Sequence, residues 1–497
     1  MADKRPNFLV FMTDHQRGDM QPPFGIIKTP NLDRLHAAGV SFTNAYCPSP
    51  HCCPSRATFF SGLYPSEHGV WDNVNVSNAK SRGLCDGVRL FSEDMRDAGY
   101  KMLFAGKWHV SDKEGPDRRG FDMLCAHWER YKDEGYRPSM SDWDTYGLGW
   151  PISDPTAVRG EGEIVRPGFH KTVMYGERNE PHHDAVMVDA AIRGIEGMPD
   201  GESFLMYVGV GGPHSPYMVS KEFLAMYDLD EIALPESFTD TMGDKPAMYR
   251  RIRERYGQLT ETEHRKALLH YYAYCTYEDF LFGRLLDALE AKGLLESTVV
   301  IYNSDHGDYA AAHGLWEKGL PGFREAYHVN SVVGYGGVKG GGRVVDEFVS
   351  LADYAPTFLE MAGIEAGRRF CGASLRPFLE GGRPEGWRTE MFTQTNGNEN
   401  YGIQRAVFDR KYKYVYNAFD YDELYDLEAD PHEVRNLIAH GAYERGGELD
   451  AVVLRMWERL YAFAYENKDG IANGYMVTAM APYGPMVYLG GDGAPRK

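Results

Sequence analysis

The segment NFLVFMTDHQ, residues 7–16, begins as a mostly apolar run and ends in Asp14, His15 and Gln16. A short continuous apolar run predicts a strand that is buried on both faces, as the strands of parallel sheets are. The polar residues follow at the carboxyl end of this strand, where open α/β sheets bind their ligands. The segment therefore predicts an α/β fold with a functional site beside residue 14.

Three further segments repeat this order of a buried strand followed by polar residues. Their predicted strands cover residues 101–105, 203–210 and 298–303, and a fifth strand is predicted at 331–335. The clusters that follow the first three are Lys107-Trp108-His109, Pro213-His214-Ser215-Pro216 and Ser304-Asp305-His306-Gly307-Asp308. A polar residue at a strand end is usually a turn or a helix cap. Four clusters at one edge of a parallel sheet indicate a shared site instead.

Hydrophobic periodicity predicts two domains. The remaining predicted elements are helices at 263–294, 353–363 and 451–465 and strands at 390–395 and 406–417. A Gly- and Pro-containing linker at 380–386 separates the two groups. We therefore predict a large α/β domain over residues 1–380 and a smaller α+β domain over residues 387–497.

Two long segments fit neither helical nor strand periodicity. Residues 126–178 carry several Trp and Tyr residues among Gly, Pro and charged residues, and the tail from residue 470 is rich in Gly, Pro and Met. A long irregular insertion in a compact domain is more often functional than idle. The aromatic side chains of the first segment are therefore candidates for substrate contacts.

The composition excludes several classes of protein. The 497 residues are 43% hydrophobic, with 72 acidic against 53 basic residues and a net charge of −19. Such a chain buries a sizeable core, and the acidic balance argues against a nucleic-acid binder. Seven cysteines are too few and odd in number for a disulfide scaffold, and no apolar run approaches the ~20 residues of a membrane span. With no apolar leader at the N-terminus, we expect a cytoplasmic protein, or a periplasmic or secreted one if a leader has been removed.

The polar clusters also suggest a metal site. Asp14, Asp305 and His306 together supply two carboxylates and one imidazole, which suit Ca²⁺, Mg²⁺ or Mn²⁺. A structural zinc site is not expected, because no Cys or His pair has zinc-finger spacing.

The most specific motif is Cys52-x-Pro54-Ser55-Arg56, followed by Ser61-Gly62. By itself the doublet Cys52-Cys53 could be two structural thiols. The motif resembles the signature of the type I sulfatases, in which the first cysteine of C-x-P-S-R is oxidised to formylglycine by a formylglycine-generating enzyme. The resemblance implies that Cys52 is the modified residue.

The resemblance to type I sulfatases extends over most of the chain. The matching segments are residues 6–10 with Asp14, His68-Gly69-Val70 with Asn73, residues 105–109, residues 213–216, residues 304–308 with Lys318, and residues 423–437. The resemblance implies an alkaline-phosphatase-like α/β fold. Its mixed, mostly parallel sheet lies between helices, and a smaller C-terminal α+β subdomain carries an antiparallel sheet.

The resemblance implies one divalent metal, with Ca²⁺ favoured over Mg²⁺ or Mn²⁺. Its ligands would be Asp14, Cys52, Asp305 and His306. Many members of the family have a second aspartate after the first strand and others have glutamine, whereas here Asp14 is followed by His15. His15 has three interpretations: it touches the metal, contacts sulfate or supports Asp14.

The resemblance also implies roles in hydrolysis. The aldehyde of residue 52 would hydrate, and one of its two hydroxyls would attack sulfur. Arg56, Lys107 and Lys318 would offer positive charge to that hydroxyl and to sulfate. Either His214 or Lys318 would protonate the leaving alcohol, and His109 would deprotonate the second hydroxyl. Asn73, like His15, would bind substrate or support the residues that do.

Several alternatives remain open at the level of sequence. We favour a sulfated sugar as substrate, with choline sulfate or an aryl sulfate as alternatives. A phosphonate monoester or phosphodiester hydrolase would share the fold, but those relatives lack the lysine and histidine that Lys107 and His109 match. A non-catalytic binder of sulfated ligands would retain an unmodified Cys52. The sequence leaves the oligomeric state open and is compatible with a homo-oligomer.

Overall fold

The computed structural model describes residues 5–76, 79–126, 158–165, 171–178, 183–398, 400–439, 447–473 and 475. Most of the aromatic-rich segment at 126–178, including all of its Trp residues, lies outside the described residues, as does the tail beyond 475. The suggestions made for these two segments therefore stay predictions.

The strands form one large sheet and one smaller sheet, with two short two-stranded ribbons. In chain order they are β1 (Asn7–Thr13), β2 (Gly39–Tyr46), β3 (Lys101–Gly106), β4 (Asp122–Ala126), β5 (Glu163–Ile164), β6 (Thr172–Val173), β7 (Tyr175–Glu177), β8 (Phe204–Gly209), β9 (Tyr217–Val219), β10 (Thr298–Ser304), β11 (Ser331–Gly334), β12 (Arg343–Ser350), β13 (Met391–Gly397), β14 (Tyr401–Phe408), β15 (Tyr412–Asn417) and β16 (Glu423–Asp426). The eight-stranded sheet has the order β12-β2-β11-β10-β1-β8-β3-β4. Only β11 runs antiparallel to its neighbours, so the predicted mixed, mostly parallel sheet is confirmed.

Helices cover both faces of the large sheet. The helices of the described chain are α1 (Pro30–Ala37), α2 (Cys52–Ser61), α3 (Pro65–His68), α4 (Phe91–Asp97), α5 (His183–Glu196), α6 (Lys221–Leu224), α7 (Ala247–Tyr256), α8 (Glu261–Ala291), α9 (Arg324–Tyr327), α10 (Tyr354–Met361), α11 (Arg376–Leu379) and α12 (Glu448–Glu466), the last of which packs on the smaller sheet. Short 3₁₀ helices lie at Pro116–Arg119, Leu229–Glu231, Glu236–Thr239, Leu295–Ser297, Ala312–Gly314 and Leu351–Asp353. No helix in the described part of the chain combines the length and the apolar character that crossing a bilayer requires.

Strand β1 shows why the apolar run is continuous. Phe8, Val10 and Met12 pack into the core that α2, α4 and α10 complete. Leu9 and Phe11, on the other face, pack against α1, α5 and α8. Because successive side chains of a strand point to opposite faces, a strand between two helical layers must be apolar at both.

The smaller sheet is antiparallel, in the order β13-β14-β15-β16, and α12 packs on it. The prediction of one strand over residues 406–417 is wrong. Two strands, β14 and β15, meet there at a turn in which the Asp409 carboxylate accepts the N–H groups of Lys411 and Tyr412. An aspartate that bonds to its own backbone in this way favours a turn over an extended strand.

Candidate active site

All four polar clusters lie at one edge of the large sheet. Strands β10, β1, β8 and β3 are adjacent and parallel, and their last residues are paired across the sheet. The loops that follow these strands therefore leave the sheet at the same level. The four clusters therefore lie together at this edge, as the sequence predicts.

Cys52 is the first residue of α2, a helix whose ten residues are all buried. Its Sγ lies 3.6 Å from Asp14 Oδ1 and 3.3 Å from His306 Nε2. The helix ends at Gly62, whose φ of 72° is in the left-handed region that glycine adopts readily. Residue 52 is thus held at the positive end of a helix, where developing negative charge is favoured.

Two aspartates of the predicted metal site each form an ion pair with a cation. The Lys107 ammonium donates to Asp14 Oδ2, and Arg56 Nε donates to Asp305 Oδ2 at 2.8 Å. Arg56 is 0% exposed, and its Nη1 donates to the Lys107 carbonyl and to the Tyr207 hydroxyl. Burial raises the pKa of Asp14, but neighbouring positive charges, led by Lys107, outweigh it and hold the pKa well below its ordinary value.

A second group of side chains faces Cys52 from the half-buried side of the site. Lys318 Nζ contacts His15 Nε2 and lies 3.2 Å from His214 Nε2. His15 Nδ1 lies 2.9 Å from Asp308 Oδ2, which also accepts the Tyr217 hydroxyl at 2.8 Å. The carboxylate therefore holds the His15 proton on Nδ1 and leaves Nε2 as an acceptor.

Asn73 and His109 lie close to residues 52–56. Asn73 Oδ1 accepts the N–H of Cys53 at 3.1 Å, which supports the first turn of α2. His109 Nε2 lies 2.9 Å from Asn75 Oδ1. These two hydrogen bonds thus run to Cys53 and Asn75, and neither runs to Cys52.

The charges around residue 52 favour an anion there. Burial and the Asp14 carboxylate both oppose ionisation of the Cys52 thiol. The positive charges of Lys107, Lys318 and His306 outweigh them and hold the pKa of the thiol well below its ordinary value. The same charges would stabilise any other anion at this point.

The histidines of the site divide into two kinds. Burial, helped by Lys318, lowers the pKa of His214 to about 4. Burial, helped by Lys107, lowers the pKa of His109 well below its ordinary value. Burial also opposes the charged form of His306, but its acidic neighbours outweigh burial and raise its pKa. Burial also lowers the pKa of His15, so His214, His109 and His15 are neutral at neutral pH and each has a ring nitrogen that can accept a proton.

One group of side chains could hold a metal ion. Asp14, His15, Cys52 and His306 are buried and each offers one ligand atom, all within 4.8 Å of one another. Asp305 lies beside this group, with Oδ1 3.7 Å from His306 Nε2 and Oδ2 bonded to Arg56. Compared with the set expected from sequence, His15 joins the group and Asp305 is directed toward the arginine. Oxygen and nitrogen donors in this arrangement suit a divalent cation.

Three residues for which the sequence predicts no role also shape the site. Asp308, in the cluster at residues 304–308, orients His15. The Tyr207 hydroxyl accepts a hydrogen bond from Arg56. Because Tyr207 lies inside an apolar strand, the sequence pattern predicts only a core residue there. Asn75 pairs with His109 and follows Asn73 by two residues.

Comparison with known proteins gives the family. Residues 6–364 match the sulfatase family model, and residues 311–463 match the model described as N-sulphoglucosamine sulphohydrolase, C-terminal. A choline-sulfatase of Rhizobium meliloti (strain 1021) is 29% identical over 462 residues, which cover 88% of this chain and 83% of the relative. An N-acetylglucosamine-6-O-sulfatase of Bacteroides thetaiotaomicron is 25% identical over 512 residues, covering 89% and 84%.

A solved structure has the same architecture. The phosphonate monoester hydrolase of Agrobacterium radiobacter superposes with a TM-score of 0.74 at 24% identity, covering 93% of this chain and 96% of that one. This likeness concerns the fold, and the alkaline-phosphatase-like architecture expected from the sequence is confirmed. The family model spans well over half of the 497 residues. The chain therefore belongs to the sulfatase family, within the alkaline phosphatase superfamily, and is a sulfate ester hydrolase.

Proposed function

We propose that this sulfatase uses a formylglycine made from Cys52 and one divalent metal, and that its natural substrate is a sulfated carbohydrate. One observation carries the proposal: Cys52 begins a buried helix with its Sγ against both Asp14 and His306. Lys107 and Lys318 direct positive charge to the same point. A structural thiol does not need two cations and a carboxylate around it, because grouping charges in a largely buried site is costly.

The metal would be held by Asp14, His15, His306 and residue 52, with Asp305 beside them. A bound divalent cation supplies positive charge that polarises the sulfate oxygens. Carboxylate oxygens favour Ca²⁺, and the imidazole nitrogens increase the affinity for Mn²⁺. Arg56 adds a further donor, because its Nη2 has no hydrogen-bond partner in the described part of the chain and lies 3.8 Å from Asp14 Oδ2.

Formylglycine at position 52, when hydrated, supplies one hydroxyl that attacks sulfur and a second that lets sulfate leave by C–O cleavage with return of the aldehyde. Residues of this chain assist both the attack on sulfur and the departure of sulfate. Lys107, Arg56 and Lys318 stabilise negative charge on the attacking oxygen and on sulfate. The buried side of the site thus binds sulfate, and its half-buried side receives the alcohol.

Proton transfers fall to the half-buried residues. As the S–O bond to the alcohol breaks, the alkoxide takes a proton from the Lys318 ammonium. The neutral His214 imidazole, whose Nε2 lies 3.2 Å from Lys318 Nζ, accepts a hydrogen bond from that ammonium and orients it. His109, held by Asn75 and neutral, then takes the proton of the second hydroxyl as sulfate departs. The sum is one ester and one water giving an alcohol and hydrogen sulfate.

A sulfated sugar is the proposed substrate class. The support is the relative that acts on N-acetylglucosamine 6-sulfate, as its name states, which matches 89% of this chain. The relative named as a choline-sulfatase makes choline sulfate the second candidate. We expect N-acetylglucosamine 6-sulfate or a sulfated disaccharide to give a kcat/KM at least about tenfold above that of choline sulfate, a gap of roughly 1.4 kcal/mol in transition-state binding.

The test is sulfate release from wild-type protein, measured in parallel on sulfated mono- and disaccharides, choline sulfate and an aryl sulfate. Unsulfated sugar added to the aryl sulfate assay is the matched control, because a sugar subsite predicts competitive inhibition by it. Inert sugars together with turnover of choline sulfate would overturn the carbohydrate proposal and leave the reaction class intact.

A further inference from the structure

Two buried carboxyl groups hold the loop that carries His214. Asp184, in the first turn of α5, is 1% exposed, and its oxygens accept the N–H groups of Gly211 at 2.6 Å and Gly212 at 3.1 Å. Glu278, in the middle of α8, is 0% exposed, and its Oε1 lies against Gly212, whose N–H Asp184 accepts. Neither carboxyl belongs to the polar clusters at the sheet edge.

The surroundings of Glu278 favour its protonated form. Neither oxygen of Glu278 has a hydrogen-bond donor in the described chain. Burial and the charge of Asp184 raise the pKa of Glu278 well above its ordinary value. Because two neighbouring carboxylates away from water cannot both ionise without a large cost, Glu278 keeps its proton, and a protonated Glu278 has an O–H that Asp184 could accept.

This pair is connected to the active site through Gly212. The Gly212 carbonyl accepts the N–H of Asp14 at 3.0 Å, so both polar groups of this residue are fixed. A Cβ at position 212 would overlap Glu278 Oε1 and the ring of Tyr274, so glycine is required for the carboxyl to lie against the loop. Two residues later, the His214 ring faces Lys318.

We propose that Asp184 and Glu278 are positioning residues, a hydrogen-bonded acid pair that fixes residues 211–214 and thereby the His214 ring beside Lys318. The inference rests on the proposed function, because His214 orients the Lys318 ammonium there for the leaving alcohol. A misplacement of about 1 Å can cost roughly 100-fold in rate. Loosening the loop therefore lowers kcat, while the cations that bind sulfate, and with them KM, are unaffected.

The test compares Glu278→Leu, which removes the donor at similar volume, with Glu278→Gln, which retains an N–H donor toward Asp184. We expect kcat on an aryl sulfate to fall about 10- to 100-fold in Glu278→Leu, with KM within about threefold of wild type. Glu278→Gln is expected to stay within about fivefold of wild type, because the amide restores the hydrogen bond.

The matched control is Asp279→Asn on the same helix. Asp279 is equally buried, but its carboxylate accepts the N–H groups of Asn31 and Leu32 at the start of α1. We expect it to lower the melting temperature without changing kcat. If Glu278→Leu yields no folded protein, Asp184→Asn replaces it, since its amide would present an N–H group to the N–H groups of the loop.

A double-mutant cycle with His214→Ala separates positioning from general stability. Because the pair acts through His214, Glu278→Leu should cost less than about threefold in the His214→Ala background. If Glu278→Leu still lowered kcat by about 10- to 100-fold in the His214→Ala background, the inference would be overturned. Equal kcat for Glu278→Leu and Glu278→Gln would also overturn it. If wild type hydrolyses no sulfate ester, the proposed function fails instead. Crystal structures of the two Glu278 variants then decide, because only Glu278→Leu should displace residues 211–214.

Discussion

Replacing Cys52 with serine is expected to reduce sulfate ester turnover by roughly 10⁴- to 10⁶-fold, the loss that follows removal of an essential nucleophile. The wild-type peptide that contains residue 52 should be about 18 Da lighter than its cysteine form, because formylglycine formation replaces SH₂ by O. A serine at this position could accept sulfate, but it lacks the second hydroxyl through which sulfate would leave. The expected product in the variant is therefore at most one turnover per site. Mass spectrometry and steady-state sulfate release measure the two effects.

Cys53→Ser is the matched control for that experiment. Cys53 is the neighbouring thiol, 0% exposed, and its Sγ accepts the N–H of Val74 at 3.3 Å. The change alters the same chemical group one residue away, at the variable position of the motif. We expect turnover within about tenfold of wild type, with a small loss of stability. If Cys52→Ser retained comparable turnover, residue 52 would not be the nucleophile. An unmodified, inactive Cys52 in protein from a host able to mature it would support the sulfate-binder alternative.

Asp14→Asn is expected to lower kcat/KM by about 10³-fold or more and to weaken binding of the divalent metal by at least about 100-fold. Loss of an outer partner of a metal ligand alone costs roughly 10- to 100-fold, and Asp14 lies at the centre of the group. Its oxygens meet the Cys52 thiol, the His306 imidazole and the Lys107 ammonium. The variant also leaves Lys107 without its carboxylate. Metal content by mass spectrometry and titration of the apo protein give the affinity.

Asp353→Asn provides the corresponding control. Asp353 is 0% exposed and forms a two-pronged ion pair with Arg388 at 2.5 and 2.6 Å, in the turn before α10. Breaking a buried ion pair by removing one charge costs about 3–5 kcal/mol in unfolding free energy. We therefore expect a lower melting temperature with normal metal content and near-normal kcat/KM. A similar loss of metal in both variants would mean that Asp14 acts through overall stability and not as a ligand.

In the large sheet, strands buried on both faces could be predicted from the sequence, and strands with exposed polar positions could not. The run at residues 7–13 is apolar throughout because helices cover both faces of β1, and its predicted bounds match. Strands β2, β4 and β12 were not predicted. Each carries polar residues at partly or fully exposed positions, as at Asn44, Asp122 and Asp346. The fold class could therefore be predicted from the four strands that precede polar clusters. The outer strands of the sheet could not be predicted.

The candidate site was predictable where its residues share a motif. Cys52 and Arg56 lie four residues apart in one segment, and both point into the site from α2. Asp14, Lys107 and His306 each follow a parallel strand, so their convergence follows from sheet geometry. That argument gives proximity, but it cannot say which oxygen faces which cation.

The carboxyl groups that support the site could not be predicted from motifs or strand ends. Asp184 and Glu278 are 94 positions apart on two helices, and neither stands in a motif. A single acidic residue in a helical pattern ordinarily faces solvent. Only the packing of α5 against α8 brings the two together beneath the loop of Gly212. Asp308 is similar, because its bond to His15 depends on how two loops meet across the site.

The most direct test of the reaction class is the kcat/KM of wild-type protein on three matched esters: an aryl sulfate, a phosphonate monoester and a phosphate diester with the same leaving group. The assay is run with metal and after chelation. Because residues 6–364 match the sulfatase family model, we expect the sulfate ester to be turned over at least about tenfold faster, with activity lost on chelation and restored by metal. Dominant turnover of the phosphonate or the diester would contradict the proposed function and the roles given to Lys107 and His109.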